Sequence, residues 1–215
     1  LTELRDRDRQ LVTKDATIRE IHHRVKNNLQ TVAALLRLQS RRMSNSDAKD
    51  ALKQAMGRVS AIAVVHEILS QNFEEQVAFD EVADRILHMV GDVAASSGSV
   101  VARREGSFGE VPAETATALS LATTELCQNA IEHSLDSSSG NVIVRPHRTD
   151  DALVVDIVSD GKPLPEGFSL DNHRSSLGLS IVTTLMQDLG GTFTLEDNSD
   201  RVGTCARLVI PLQRL

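Results

Sequence analysis

The sequence predicts a helical hairpin followed by a two-layer α/β sandwich, and three observations support this fold class. Apolar residues recur every seven positions at the N-terminal end, which is the period of a coiled-coil seam: Leu4, Leu11, Ile18, Val25 and Val32. The small polar run RRMSNSDAKD (41–50) interrupts this pattern, and a second helical stretch continues to about residue 72. Beyond the polar segment QNFEEQ (71–76), helix-like and strand-like patterns alternate.

The N-terminal region is expected to dimerise. An isolated pair of helices cannot bury both of its apolar faces, and two copies solve this by forming a four-helix bundle. We therefore divide the chain into a charged coiled-coil helix (1–20), a dimerisation hairpin (21–75) and a C-terminal domain (76–215).

The C-terminal domain is predicted to combine three helices with a largely antiparallel sheet. The predicted helices span 79–94, 112–135, which opens with Pro112, and 178–189; the predicted strands span 99–104, 141–147, 152–158, 192–197 and 204–211. Such a mixture forms two layers.

Composition excludes several classes of function. A formal net charge of -7 and the lack of Trp and Tyr argue against a nucleic-acid-binding surface. No stretch approaches the roughly 20 apolar residues of a membrane helix, and the charged start does not look like a secretory leader, so we expect a cytosolic protein. Two cysteines, Cys127 and Cys205, are too few for a disulfide framework or a zinc cluster, and we expect buried free thiols.

The first candidate site is EIHHRVKNNLQ (20–30). His22 falls on the apolar seam, whereas His23 lies about 100° further round the helix and faces solvent. Lys26 and Asn27 follow three and four residues after His23, on the same face, where they could steady a phosphate. The simpler alternative is an ordinary surface histidine on a charged helix.

The second candidate site is TELCQNAIEH (124–133). Glu125, Asn129 and His133 are four residues apart and share one helical face. A carboxylate, an amide and an imidazole in this arrangement suit a site for Mg²⁺ and phosphate. The alternative is a solvated polar stripe on an amphipathic helix.

Two glycine-containing loops form the third candidate. SDGKPLPEG (159–167) leaves a strand, and SSLGLSIV (175–182) leads into a helix, whose free backbone N–H groups favour phosphate. Neither fits the spacing of a P-loop or a dinucleotide-binding fingerprint. Together with the second candidate, they point to a nucleotide pocket.

The order of these pieces resembles the bacterial sensor histidine kinases. HHRVKNNLQTVAALLRLQ (22–39) is similar to the subfamily whose acceptor box reads His-Arg-x-Lys-Asn-Asn. The resemblance implies a Bergerat-type ATP-binding domain that uses ATP and Mg²⁺, autophosphorylation of His23, and transfer to the receiver domain of a response regulator. In the cytosolic actinobacterial members, that partner would be an RNA-binding antitermination regulator. Residues 1–20 would then transmit a signal from upstream sensor domains outside this chain.

Carried over position by position, the resemblance implies roles for most of the candidate residues. Asn129 would be the Mg²⁺ ligand and Glu125 the catalytic base, with residues 162–175 as a lid over ATP. The residues expected around the nucleotide are Asn129, His133, Ser159, Asp160, Gly161, Leu177, Gly178, Leu179, Gly203 and Thr204. Gly178 would lie near the phosphates, and the pair Gly203–Thr204 near the adenine.

The sequence departs from the family pattern in ways that leave an alternative open. Ser159 stands where the family has an aspartate that binds the adenine amino group, and the neighbouring Asp160 could replace it only if the turn shifts by one residue. Arg24 follows His23 where many histidine kinases have an acidic residue, so the base that activates His23 is not fixed. The alternative is a dimeric scaffold that binds a response regulator without productive ATP turnover. Other Bergerat-type ATPases, such as chaperones, lack an acceptor hairpin, which disfavours them here.

Overall fold

The computed structural model describes residues 2–71, 76–95, 99–135, 139–170, 177–199 and 202–212. The chain divides into two compact units, residues 1–77 and 78–215.

The first unit is a hairpin of two long helices, α1 (Thr2–Arg42) and α2 (Ser46–Gln71). The turn between them is shorter than the predicted break at 41–50. The side-chain oxygen of Asn45 accepts a hydrogen bond from the backbone N–H of Ala48 at 3.1 Å. Because Asn and Ser favour the position just before a helix, these polar residues start α2 instead of forming a loop.

One apolar face of the hairpin is open in the single chain. Five residues of α1 are each between 40% and 57% exposed: Ile18, Ile21, Val32, Leu35 and Leu38. The dimeric four-helix bundle expected from the sequence would cover this face, and it stays a prediction. No helix in the described ranges is long and apolar enough to cross a membrane.

The second unit is an α/β domain, which confirms the predicted order of a helical hairpin followed by an α/β fold. Its elements are β1 (Gln76–Ala78), α3 (Phe79–Ala95), β2 (Val100–Arg104), β3 (Glu110–Pro112), α4 (Ala113–Asn129), a π-helical turn (Ala130–Ser134), β4 (Gly140–Arg148), β5 (Ala152–Ser159), α5 (Leu177–Asp188), β6 (Thr192–Asp197) and β7 (Thr204–Pro211). The short strands β1 and β3, which pair with each other, were not predicted.

The main sheet has the order β2-β4-β5-β7-β6. The β2–β4 pair is parallel and the other three pairs are antiparallel, so the sheet is mixed. Alternate residues of β5 are buried, namely Leu153, Val155, Ile157 and Ser159, while those between them are partly exposed. This alternation is typical of a sheet covered on one face. Helices α3, α4 and α5 form the second layer.

The core of this unit contains a pair of aromatic rings. Phe79 and Phe108 are fully buried and meet edge to face, with ring centroids 4.8 Å apart.

The two cysteines of this unit differ in burial. Both thiols are free, and Cys127 is buried as expected. The expectation was wrong for Cys205, which is half-buried because it lies on the outer face of β7.

The helix predicted over 112–135 differs from the structure at both ends. Pro112 is the last residue of β3 and immediately precedes α4. After Asn129 the helix widens into a π turn, in which the backbone N–H of Leu135 donates to the carbonyl of Ala130 at 2.9 Å. The spacing of apolar residues does not reveal one added residue in a turn, so the π turn was not predictable from the sequence.

Candidate functional site

The two adjacent histidines of α1 occupy different environments. His22 packs against α2, where its Nδ1 lies 2.9 Å from Nδ1 of His66. Partial burial lowers the pKa of both imidazoles, and for His66 the nearby His22 lowers it further. His22 is therefore engaged within the hairpin, as its position on the seam suggests.

His23 is exposed, as the helical geometry predicts. The amide Nδ2 of Asn27 lies 3.3 Å from Nδ1 of His23, so Asn27 holds the ring. Lys26 turns the other way, and its Nζ forms an ion pair with Glu67 on α2 at 3.1 Å. The structure thus brings Asn27 to His23 but not Lys26, because α2 offers a carboxylate within reach of the lysine. Arg24 donates to Glu20 at 2.7 Å.

The second unit contains a cavity of about 470 Å³, within the ~300–1,000 Å³ range of small-molecule sites. Its walls are mostly apolar with a few polar groups. The lining residues are Leu126, Asn129, Ala130, His133, Ser134, Ile157, Lys162, Pro163, Leu164, Pro165, Phe168, Leu179, Leu195, Thr204 and Ala206. Four of the residues expected around the nucleotide are among them, namely Asn129, His133, Leu179 and Thr204. Five more belong to the segment 162–175 that was expected to form a lid, namely Lys162, Pro163, Leu164, Pro165 and Phe168.

One wall of the cavity joins α4 to the start of α5. Glu125 is only 3% exposed and lies behind Asn129, whose Nδ2 is buried without a hydrogen-bond partner among the described residues. A Cβ on Gly178 would lie 2.5 Å from Oε2 of Glu125 and 3.6 Å from Nδ2 of Asn129. Glycine at this position therefore lets the α5 backbone approach both side chains. Leu177, just before it, is 63% exposed.

Three hydroxyl groups, which we call the hydroxyl cluster, meet beside the cavity: Ser134, Ser159 and Thr204. Ser159 Oγ lies 2.7 Å from Ser134 Oγ and 2.9 Å from Thr204 Oγ1, and all three residues are buried. Ser134 and Thr204 reach the cavity wall. Sequence reasoning missed Ser134, because its partners are 25 and more residues away in the chain.

Two predicted glycines support this cluster from behind. A Cβ on Gly203 would lie 1.9 Å from the carbonyl oxygen of Ser159, and one on Gly161 would lie 2.2 Å from that of Ser134. Both glycines are thus needed for close backbone contact, and neither lines the cavity.

Asp160 does not take the place of the missing aspartate. Its carboxylate accepts hydrogen bonds from the backbone N–H of Asn141 at 2.7 Å and from the Asn141 side chain at 2.6 Å. Burial raises the pKa of Asp160, but these bonds outweigh it and hold the pKa below its usual value. The side chain is fixed at the surface end of β4 and is not part of the cavity lining.

The donors present fit a magnesium–nucleotide complex better than a metal bound by protein alone. Within the described residues, no three His, Cys, Asp or Glu side chains are grouped to hold a metal ion. Mg²⁺ usually keeps water and phosphate ligands and takes only one or two protein oxygens. The buried Nδ2 of Asn129, without a hydrogen-bond partner among the described residues, is a donor that suits a phosphate oxygen, and it leaves the side-chain oxygen available for the metal.

Two families match successive stretches of the chain. Residues 20–94 match the family described as histidine kinase. Residues 114–214 match the family described as histidine kinase-, DNA gyrase B-, and HSP90-like ATPase.

Individual proteins show the same likeness. Sensor histidine kinase PdtaS of Mycobacterium tuberculosis is 50% identical over 217 residues, and PdtaS of Mycolicibacterium smegmatis is 48% identical. Each match covers 100% of this chain and 43% of the relative, so the chain spans less than half the length of these proteins. The solved histidine kinase domain of the blue-light activated kinase from Erythrobacter litoralis is 26% identical, with a TM-score of 0.65, covering 96% of this chain and 94% of that one. With a histidine kinase region followed by an ATPase region, and with 50% identity to PdtaS over its whole length, the chain belongs to the sensor histidine kinases.

Proposed function

We propose that the chain is the kinase part of a two-component sensor, in which His23 receives the γ-phosphoryl group of ATP and passes it to a response regulator. The observation that carries this proposal is the exposure of His23 beside a partly buried neighbour, His22, which contacts His66. A nucleophile that must meet a nucleotide bound elsewhere has to be accessible, and His23 is.

The hydrogen bond from Asn27 bears on how His23 reacts. A neutral imidazole that accepts at Nδ1 carries its proton on Nε2. Nε2 has a free lone pair for the γ-phosphorus only once its proton has moved to a base, for which Glu125 is our candidate. A nitrogen–phosphorus bond then forms, the bond to the bridging oxygen breaks, and ADP leaves.

The cavity of the second unit is proposed to hold ATP. Asn129 would bind Mg²⁺ through its side-chain oxygen, and the N–H groups at the start of α5, around Gly178, would receive phosphate oxygens. Mg²⁺, when bound, would neutralise phosphate charge. Lys162 and His133, which line the cavity, are further candidates for contacts with the phosphates.

Labelling with γ-³²P-ATP tests the proposed acceptor. His23→Gln should abolish labelling while nucleotide binding is retained, because only the nucleophile is lost. His88→Gln is the matched control, since His88 has an 80% exposed side chain on α3 outside both candidate sites. Labelling that persists in His23→Gln, or that resists acid, would refute the assignment.

The partners remain part of the proposal. We expect a homodimer that covers the open apolar face of α1, a cytosolic setting, and a receiver-domain partner of the RNA-binding antitermination type, as the resemblance to PdtaS suggests. Upstream sensor domains would belong to the longer protein.

One observation favours a second candidate, a dimeric scaffold without productive ATP turnover. The Ser159 hydroxyl already contacts Ser134 and Thr204, and none of the described residues that line the cavity is a carboxylate. Calorimetric titration with Mg²⁺ and ADP separates the two functions, because the scaffold would bind no nucleotide at millimolar concentration.

A further inference from the structure

The hydroxyl cluster differs from a carboxylate in one chemical respect. A carboxylate only accepts hydrogen bonds, whereas a hydroxyl both donates and accepts, and its hydrogen can rotate. Thr204 and Ser134 line the cavity, while Ser159 is 1% exposed and acts only through these neighbours. What Thr204 offers a ligand therefore depends on what Ser159 does.

Two hydrogen arrangements satisfy the cluster. In the first, Thr204 donates to Ser159, Ser159 donates to Ser134, and Ser134 donates to the carbonyl of Lys162, which lies 3.0 Å away. Thr204 Oγ1 then presents a lone pair to the cavity. In the second, Ser159 donates to Thr204 at the same 2.9 Å distance, and the Thr204 hydrogen is free to point into the cavity. The backbone N–H of Thr204 donates to Ser159 Oγ at 3.3 Å in both.

The two arrangements suit purines that carry different groups at the 6-position. The 6-amino group of adenine needs an acceptor, and the 6-oxo group of hypoxanthine or guanine needs a donor. We propose that this cavity binds 6-oxopurine nucleotides about as well as adenine nucleotides, with Ser159 as the residue that removes the discrimination. The inference rests on the proposed function, because it requires that the cavity holds a purine nucleotide with its base against the hydroxyl cluster.

An aspartate at position 159 would have the opposite effect. As an acceptor, it would hold the Thr204 hydroxyl hydrogen permanently, so that Thr204 could offer the base only a lone pair. A 6-oxo group would then face oxygen atoms with no hydrogen between them, and both groups would stay unpaired. Ser159 is a positioning residue in this scheme, since it acts through Thr204.

The test is the ratio of two dissociation constants, measured by calorimetry on the 215-residue chain with Mg²⁺ and either ADP or IDP. IDP is used because it changes the 6-position without adding the 2-amino group of guanine. We expect the two constants to agree within about tenfold for the natural chain, and Ser159→Asp to separate them by at least about a hundredfold in favour of ADP. Ser159→Ala should keep the ratio near that of the natural chain, because alanine offers no acceptor that would hold the Thr204 hydrogen; a ratio that shifts about a hundredfold toward ADP would overturn the inference.

The outcomes separate the two proposals. A natural chain that binds ADP more than about a hundredfold tighter than IDP overturns the inference and leaves the proposed function standing. If neither nucleotide binds, the proposed function fails and the inference fails with it. Should Ser159→Asp not fold, which its melting curve would show, the ratio in the natural chain still decides.

Discussion

The close contact between Gly178 and Glu125 allows a sharp test of the cavity wall. In Gly178→Ala, the new methyl group would lie 2.5 Å from Glu125 Oε2, well inside ordinary contact, which begins near 3.4 Å. Alanine gains about 0.5–1 kcal/mol over glycine in a helix, whereas forcing atoms into a packed site costs about 1–3 kcal/mol. Combining these two terms, we expect a net loss of up to about 2.5 kcal/mol in the free energy of unfolding.

The same substitution should slow autophosphorylation. Displacing a catalytic group by about 1 Å can lower a reaction rate on the order of a hundredfold. We therefore expect the autophosphorylation rate to fall by about 10- to 100-fold when the Glu125 carboxylate is pushed aside. Gly91→Ala is the matched control, because Gly91 lies inside α3 and nothing stands within 4 Å of its added Cβ. The control should gain about 0.5–1 kcal/mol and keep its rate.

Urea unfolding followed by circular dichroism measures the first quantity, and initial rates of labelling with γ-³²P-ATP measure the second. If Gly178→Ala is stabilised as much as Gly91→Ala and phosphorylates at the natural rate, the close approach of α5 to Glu125 is not part of the working site.

Two further predictions follow from single side chains. Burial lowers the pKa of His22 and His66 in the folded hairpin, so the unfolded chain binds more protons and the hairpin should lose stability as pH falls below about 6.5. In melting curves at pH 7.5 and 5.5, His66→Phe should reduce this dependence of stability on pH. An unchanged dependence would contradict the His22–His66 contact. Burial raises the pKa of the Cys127 thiol to about 12. The pKa of the Cys205 thiol is raised mainly by burial and further by the negative charge of nearby Asp156. Iodoacetamide at pH 7.5 should therefore label Cys205 slowly and Cys127 only after unfolding in urea, as mass spectrometry would show; rapid labelling of Cys127 in the folded chain would refute its burial.

Regular elements were predictable because each repeats a simple period. The spacing of apolar residues along α1 and the alternation along β5 were sufficient to place them and to distinguish His22 from His23. Strands β1 and β3 span only three residues each, too short for any alternation to show. The break at 41–50 was overestimated because the same polar residues that favour loops also favour helix starts.

The site was predictable where one element supplies it and unpredictable where distant segments meet. Glu125 and Asn129 lie in α4 and His133 in the π turn that follows it, and of these three Asn129 and His133 line the cavity. Lys26 and Asp160 each formed bonds with partners 41 and 19 positions away, Glu67 and Asn141, which no local pattern could show. Ser134 has no motif of its own, and only the fold reveals its place beside Ser159 and Thr204.

In the π turn at Ala130–Ser134, the number of residues matters more than their identity. Its last residue bonds the segment after β5, since the carbonyl of Ser134 accepts the backbone N–H of Lys162 at 2.7 Å. Deleting one residue would restore an ordinary α-helical turn and swing whatever follows by about 100°, carrying Ser134 away from Lys162. A substitution in this turn changes one side chain, whereas a deletion would displace Ser134 and its contact with Lys162 together, and with them one wall of the cavity.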